Sequence, residues 1–270
     1  MRPEVDELQR FYASRRGQLA RRLIQHQLKA LWPELRGLNL LGLGFAAPFL
    51  TGFESAARAV AMMPGPQGAA RWPADARSRT ALVREDELPL ADGSVDRVLL
   101  VHGLECCENV PRLIREIWRV LADGGRMIAV VTNRRGLWSL SDRTPFGFGQ
   151  PYSAGQLERT LNRHLFTTRA ERAALFLPPT GSRLLLRLAI PVERLGQGFA
   201  RRFAGVVMVE AEKQIYVGTA VPARVPGRVR RYVPVTQGLT AARAHGNTWC
   251  EEHFADPGQF RSRLHHSKSG

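Results

Sequence analysis

The first residues of chemical interest are Gly42-Leu43-Gly44, which follow the apolar run Leu38-Asn39-Leu40-Leu41 and lead into Phe45-Ala46-Ala47. A strand that ends in two glycines before a helix can pass its backbone close under a ligand. Neither glycine has a Cβ, and the first N–H groups of the helix remain free to face what is bound. Gly-x-Gly-x-x-Ala also fits the dinucleotide fingerprint, which needs an acid about 20 residues further on. Position 62 is methionine and Glu54 comes too early, so that reading weakens. His102 could serve as a base near neutral pH, and Tyr152 could orient a nucleophile; a hydrogen-bonded strand-end histidine and a packed tyrosine are the alternatives. Trp72 offers an indole on which a ligand could stack, against ordinary packing. Cys106 and Cys107 are adjacent, and Cys250 lies far off in a polar segment. That arrangement suits neither a disulfide framework nor a zinc knuckle, so reduced thiols and no metal are expected.

The elements that must position these residues show in the periodicity. Leu8, Phe11, Tyr12, Leu19, Leu23, Leu28 and Leu31 recur at helical spacing between arginines, which predicts an amphipathic helical lead-in with a break near Gly17 and a stop at Trp32-Pro33. Tyr12 and Ser14 on it could cover a ligand as a lid, or the stripe could simply be core. After Gly37, short apolar runs alternate with helical stretches: Leu38–Leu41, Ala59–Met63, Ala81–Val83, Val98–Val101 and Met127–Val131. Such alternation predicts βαβ units and a parallel sheet covered on both faces. A helix Pro111–Leu121 ends at Asp123-Gly124-Gly125, and Ser153 is placed to cap a helix reaching Leu165. Two later runs, Ala173–Leu177 and Val206–Val217, can complete the sheet. The organisation expected is a lead-in over 1–36, a main domain over 37–218 and a basic, flexible tail over 219–270.

The net charge is +15 and the chain is rich in arginine, spread from Arg15-Arg16 to Arg230-Arg231. A field of this sign attracts nucleic acid, anionic lipid, acidic protein or an anionic small molecule, and genome base composition alone can also produce it. The arginines lack the interleaved aromatics of single-strand binding. The longest apolar stretch, Leu38–Phe53, is broken by Gly42, Gly44, Pro48 and Gly52, so no transmembrane segment is expected. Glu4, Asp6 and Glu7 stand where a signal peptide would be basic and then apolar, and a cytoplasmic location is expected.

The most specific signal is Glu85-Asp86-Glu87-Leu88-Pro89-Leu90-Ala91-Asp92-Gly93-Ser94-Val95-Asp96-Arg97-Val98, followed by Arg119-Val120-Leu121-Ala122-Asp123-Gly124-Gly125. In order and spacing this resembles the class I S-adenosylmethionine-dependent methyltransferases, in particular the methyltransferase type 11 group, over about residues 37–133 with a looser fit to 218. The resemblance implies a Rossmann-like, doubly wound seven-stranded α/β sheet, mostly parallel with an antiparallel last strand, and S-adenosylmethionine as cofactor. It would put Gly42 and Gly44 under the methionine moiety and Met62-Met63 towards the ribose. Glu85, Asp86 and Glu87 would approach the adenine, and His102 to Leu104 would border the sulfonium. The chain departs from the family pattern at Leu40 and at Met62-Met63, where acids are usual, and at Ala46, where a third glycine is usual. Three readings follow: methyl transfer to an acceptor, expected to be a small molecule; a decayed site in a protein that binds a partner through the N-terminal helix or the tail; and, third, methylation of RNA.

Overall fold

The computed structural model describes residues 2–141, 144–179, 191–193, 196 and 201–215. Seven strands form one sheet: β1 (Asn39–Gly44), β2 (Arg58–Pro64), β3 (Thr80–Val83), β4 (Val95–Val101), β5 (Leu121–Thr132), β6 (Phe166–Ala174) and β7 (Val206–Lys213), in the order β3-β2-β1-β4-β5-β7-β6. The β2–β3, β1–β2, β1–β4 and β4–β5 pairs are parallel. β7 runs antiparallel to both β5 and β6, as the family resemblance implies.

Side chains alternate between the two faces of each strand and so divide the core. Leu41, Leu43, Val98 and Leu100 meet Leu113, Ile114 and Ile117 of α4 (Val110–Val120) together with Leu157 and Leu161 of α5 (Ala154–Asn162). Leu99, Val101, Ile128 and Val130 face the other way, in the same core as Leu8 and Tyr12 of α1 (Val5–Ala13) and Ile24 and Leu28 of α2 (Arg15–Leu31). Asn109 caps α4 by accepting from the N–H of Arg112, and Ser153 with Gln156 forms a reciprocal capping box on α5.

Several expected boundaries move. The lead-in breaks at Ser14, which caps α2 through the N–H of Gly17. Gly17 is required because a Cβ there would lie 1.9 Å from the carbonyl oxygen of Phe11. The helix after the glycine turn is a single turn, α3 (Ala47–Leu50). Asp123-Gly124-Gly125 lies inside β5, at a register shift against β4, rather than ahead of the strand. α5 stops at Asn162, and Leu165 takes a left-handed φ of 64°. β6 begins at Phe166 and ends before Leu175, whose φ is 67°. The expected tail from 219, with Cys250, lies outside the described residues. Among the described residues no helix is long and apolar enough to cross a membrane.

Candidate active site

The C-terminal ends of the parallel strands form one edge of the sheet, and β1 reaches it at Gly42–Gly44. Gly44 has a φ of 76°, and a Cβ there would sit 2.3 Å from the carbonyl oxygen of Val101 and 3.2 Å from Gly103. A Cβ on Gly42 would meet Leu50 at 2.8 Å. What the missing Cβ atoms admit here is protein: the glycines let the end of β1 close against β4 and α3, and the N–H of Phe45 donates to Val101 at 2.8 Å.

His102, one residue past β4, is buried and takes a left-handed φ of 51°, an uncommon conformation for a residue with a side chain. Its Nε2 pairs with the hydroxyl of Tyr12 at 2.7 Å. Tyr12 in turn stacks on Phe45 with ring centroids 5.7 Å apart, and Phe146 covers the imidazole at 4.9 Å. Burial pulls the His102 pKa down to about 4, so the ring is neutral at pH 7. Burial, with the nearby Glu105, raises that of Tyr12. A neutral, enclosed imidazole of such low basicity suits holding α1 in place better than accepting a substrate proton.

Outside this packed centre, a groove of about 460 Å³ opens at the ends of β2 and β3, lined by Pro64, Gly65, Val83, Glu85, Asp86 and Cys106 to Asn109. A Cβ on Gly65 would meet nothing within 4 Å, so the wall there borders open space. Asp86 contributes a half-buried carboxylate held by Arg84 at 3.2 Å and Arg112 at 3.5 Å. The hydrogen bond from Arg84 keeps its pKa below the usual carboxylate value. Arg2 crosses one end, paired with Glu85 at 2.6 Å and donating to the carbonyl of Cys106 at 3.0 Å.

The expected binding residues are thus only partly brought together. Asp86 lines the groove. Glu87 is exposed, pairs with Arg84 and is not part of the lining. Met63 is fully buried, its sulfur accepting from the N–H of Ala70, and Pro64 takes the expected place in the wall. Trp72 packs against the core rather than lining the groove, with its indole N–H unpartnered.

Across the Cys106–Glu108 turn lies a second cleft of about 460 Å³, lined by Leu104, Glu105, Val110, Gly149, Gln150 and Tyr152 among others. Here Leu104 and Tyr152 meet a residue not expected as a reacting group. Glu105 is 5% exposed; its Oε1 accepts from the backbone N–H of Thr132 at 2.8 Å, and its Oε2 has no hydrogen-bond partner. Burial raises its pKa to about 7, against the opposing pull of the Thr132 bonds and of Arg2. The available signal was an acid directly after the apolar strand-end segment Val98 to Leu104. Cys106 and Cys107 are pushed by burial up to about 11 and about 12, which leaves both as thiols at pH 7.

Residues 41–129 match the family model described as a methyltransferase domain. Over this segment the chain carries a methyltransferase domain. Solved structures agree on the fold. An S-adenosylmethionine-dependent methyltransferase from Thermotoga maritima is 16% identical with a TM-score of 0.55, over 78% of this chain and 96% of that one. A Haloferax volcanii structure, a complex with the methyltransferase activator Trm112, is also 16% identical with a TM-score of 0.55, over 77% of this chain and 97% of the matched one. Among curated proteins there is no match. S-adenosylmethionine is the cofactor of this family, and the residues present fit it in one respect: the open wall at Gly65, beside the Asp86 carboxylate, leaves room for a nucleoside at the strand ends where doubly wound sheets bind ligands.

Proposed function

We propose that this protein transfers a methyl group from S-adenosylmethionine to a small-molecule acceptor in the cytoplasm. The nucleoside would lie in the groove between Pro64-Gly65 and Asp86, and the acceptor in the cleft between Leu104, Glu105 and Tyr152. The observation that carries this reading is the pair of grooves, each about 460 Å³, that share Cys106, Cys107 and Glu108 just beyond the end of β4. A donor in one and an acceptor in the other would approach each other over that turn.

The bound cofactor supplies a methyl group already activated on a sulfonium, so the protein's task is chiefly to position and to exclude water. Gly42 and Gly44 fix the ends of β1 and β4 against each other, His102 and Tyr12 hold α1 over them, and Leu104 gives the acceptor cleft an apolar wall. The Tyr152 hydroxyl, its pKa raised mainly by burial, stays protonated and is available to donate to an acceptor. Binding of a helper protein is a second reading. The Haloferax complex with an activator supports it, as does α2, whose exposed Arg15, Arg21, Arg22, His26 and Lys29 face solvent on a helix with no acid.

Radiolabelled S-adenosylmethionine incubated with the protein and a cell extract, then separated by size, tests the acceptor class. Label is expected in the small-molecule fraction. Label confined to RNA or protein would overturn the small-molecule reading.

A further inference from the structure

Taking the second cleft as the acceptor site, we propose that Glu105 accepts the acceptor's proton through Oε2, and hence that the acceptor is a neutral nucleophile bearing an O–H or N–H. The two oxygens of this carboxyl are treated differently by the fold. Oε1 is fixed by the N–H of Thr132 at 2.8 Å, with the Thr132 hydroxyl at 3.4 Å. Oε2 is buried and unpartnered. The backbone is also held, because the Glu105 carbonyl accepts from the N–H of Gln150 at 2.8 Å. A Cβ on Gly149 would meet that same carbonyl at 2.4 Å, so the loop bearing Tyr152 packs tightly against Glu105.

A buried polar oxygen without a partner is costly and is kept where something else completes it. Here the residue belongs to the wall of an open cleft while Oε2 itself is closed off from solvent, so a donor entering that cleft supplies the missing bond once the wall around the carboxyl gives way to it. The groups acting on the carboxyl come from every side: Arg2 from the N-terminal strap, Tyr12 from α1, Cys106 from the same turn and Tyr152 from the segment before α5. The hydrogen bonds from the Thr132 backbone and hydroxyl and the charge of Arg2 favour the carboxylate, and burial outweighs them. The balance leaves a group that can exchange a proton near neutrality, where a general base is most effective.

The step balances without a further reactant. Glu105 Oε2 takes the proton of X–H while the electron pair on X forms the bond to the methyl carbon, and the pair of the breaking carbon–sulfur bond stays on sulfur. The methylated product leaves neutral, and protonated Glu105 returns its proton to water. An acceptor that is already an anion, or one that becomes a stable cation, would need no such group.

The test uses protein loaded with S-adenosylhomocysteine and two pairs of probes, phenol with anisole and imidazole with N-methylimidazole, in which the second member of each pair lacks the X–H. Wild type should bind the X–H member of at least one pair about tenfold more tightly, the difference expected for one hydrogen bond to a charged or polarised group. Glu105→Gln keeps an acceptor for Thr132 but replaces the free oxygen, and should abolish that preference while still binding S-adenosylhomocysteine. Infrared spectra of the wild type provide a readout that does not depend on any variant: the carboxyl band lost in Glu105→Gln should shift when the X–H probe binds. Equal binding within both pairs, no binding of any probe, or an unshifted band would overturn the role of Glu105. Failure to load S-adenosylhomocysteine would instead count against the cofactor groove on which the proposal rests.

Discussion

Two charged clusters flank α4, and the fold treats them in opposite ways. At its C-terminal end Arg119 makes bonds to the carbonyls of Leu88 and Leu90 and to the carboxylates of Asp92 and Glu116, at 2.6–3.0 Å. Glu116 also accepts from the N–H of Leu88 at 2.9 Å. Near its N-terminal end Glu105 is buried with one oxygen unpartnered. The first cluster spends its hydrogen bonds fixing the Leu88–Asp92 segment to α4. The second keeps one in reserve, and the role proposed for Glu105 rests on that difference.

The comparison is sharpened most by pH. A carboxyl raised from 4.5 in the unfolded chain to about 7 in the fold leaves the folded state holding more protons across that interval. Stability is therefore greatest at low pH and falls as pH rises from about 4.5 to about 7, by roughly 3 kcal/mol for a group shifted that far. Urea unfolding of wild type and Glu105→Gln should show the wild type losing ground to the variant over this window, with a constant difference above it. A constant difference throughout would place Glu105 in an ordinary setting.

Arg119→Ala should cost about 2 kcal/mol, the scale of lost hydrogen bonds to charged partners at a partly exposed site. Arg119→Lys should recover part of that, because one ammonium cannot span four acceptors. Neither change should alter the pH dependence assigned to Glu105. If Arg119→Ala abolished ligand binding without lowering the unfolding midpoint, the division between strut and site would be wrong.

The same division explains what could be read from the chain beforehand. Leu88-Pro89 through Gly124-Gly125 was legible through its resemblance to the methyltransferase type 11 pattern, and the fold shows what part of it does: Arg119, Asp92 and Glu116 dock the Leu88–Asp92 segment on α4. The strands and their order were legible from alternation and from the family resemblance. The site was not, for physical reasons. Met63 and Pro64 are adjacent on one strand and so point to opposite faces, Met63 into the core and Pro64 to the groove, and the apolar run alone does not say which of the two meets the groove. Gly42 and Gly44 carry the same pattern whether they admit a ligand or a neighbouring strand. The importance of Glu105 depends on Thr132, Gly149 and Gln150, which come into contact with it only in the folded sheet.

The most direct test of the central claim is calorimetric titration of S-adenosylhomocysteine into wild type and Gly65→Phe. Position 65 has nothing within 4 Å of the site of a Cβ, so a phenyl ring there should fill the groove while leaving the core intact. Saturable binding in the wild type that disappears in Gly65→Phe, with an unchanged unfolding midpoint, is the result expected. No binding to the wild type at millimolar ligand, or equal binding to both proteins, would contradict it.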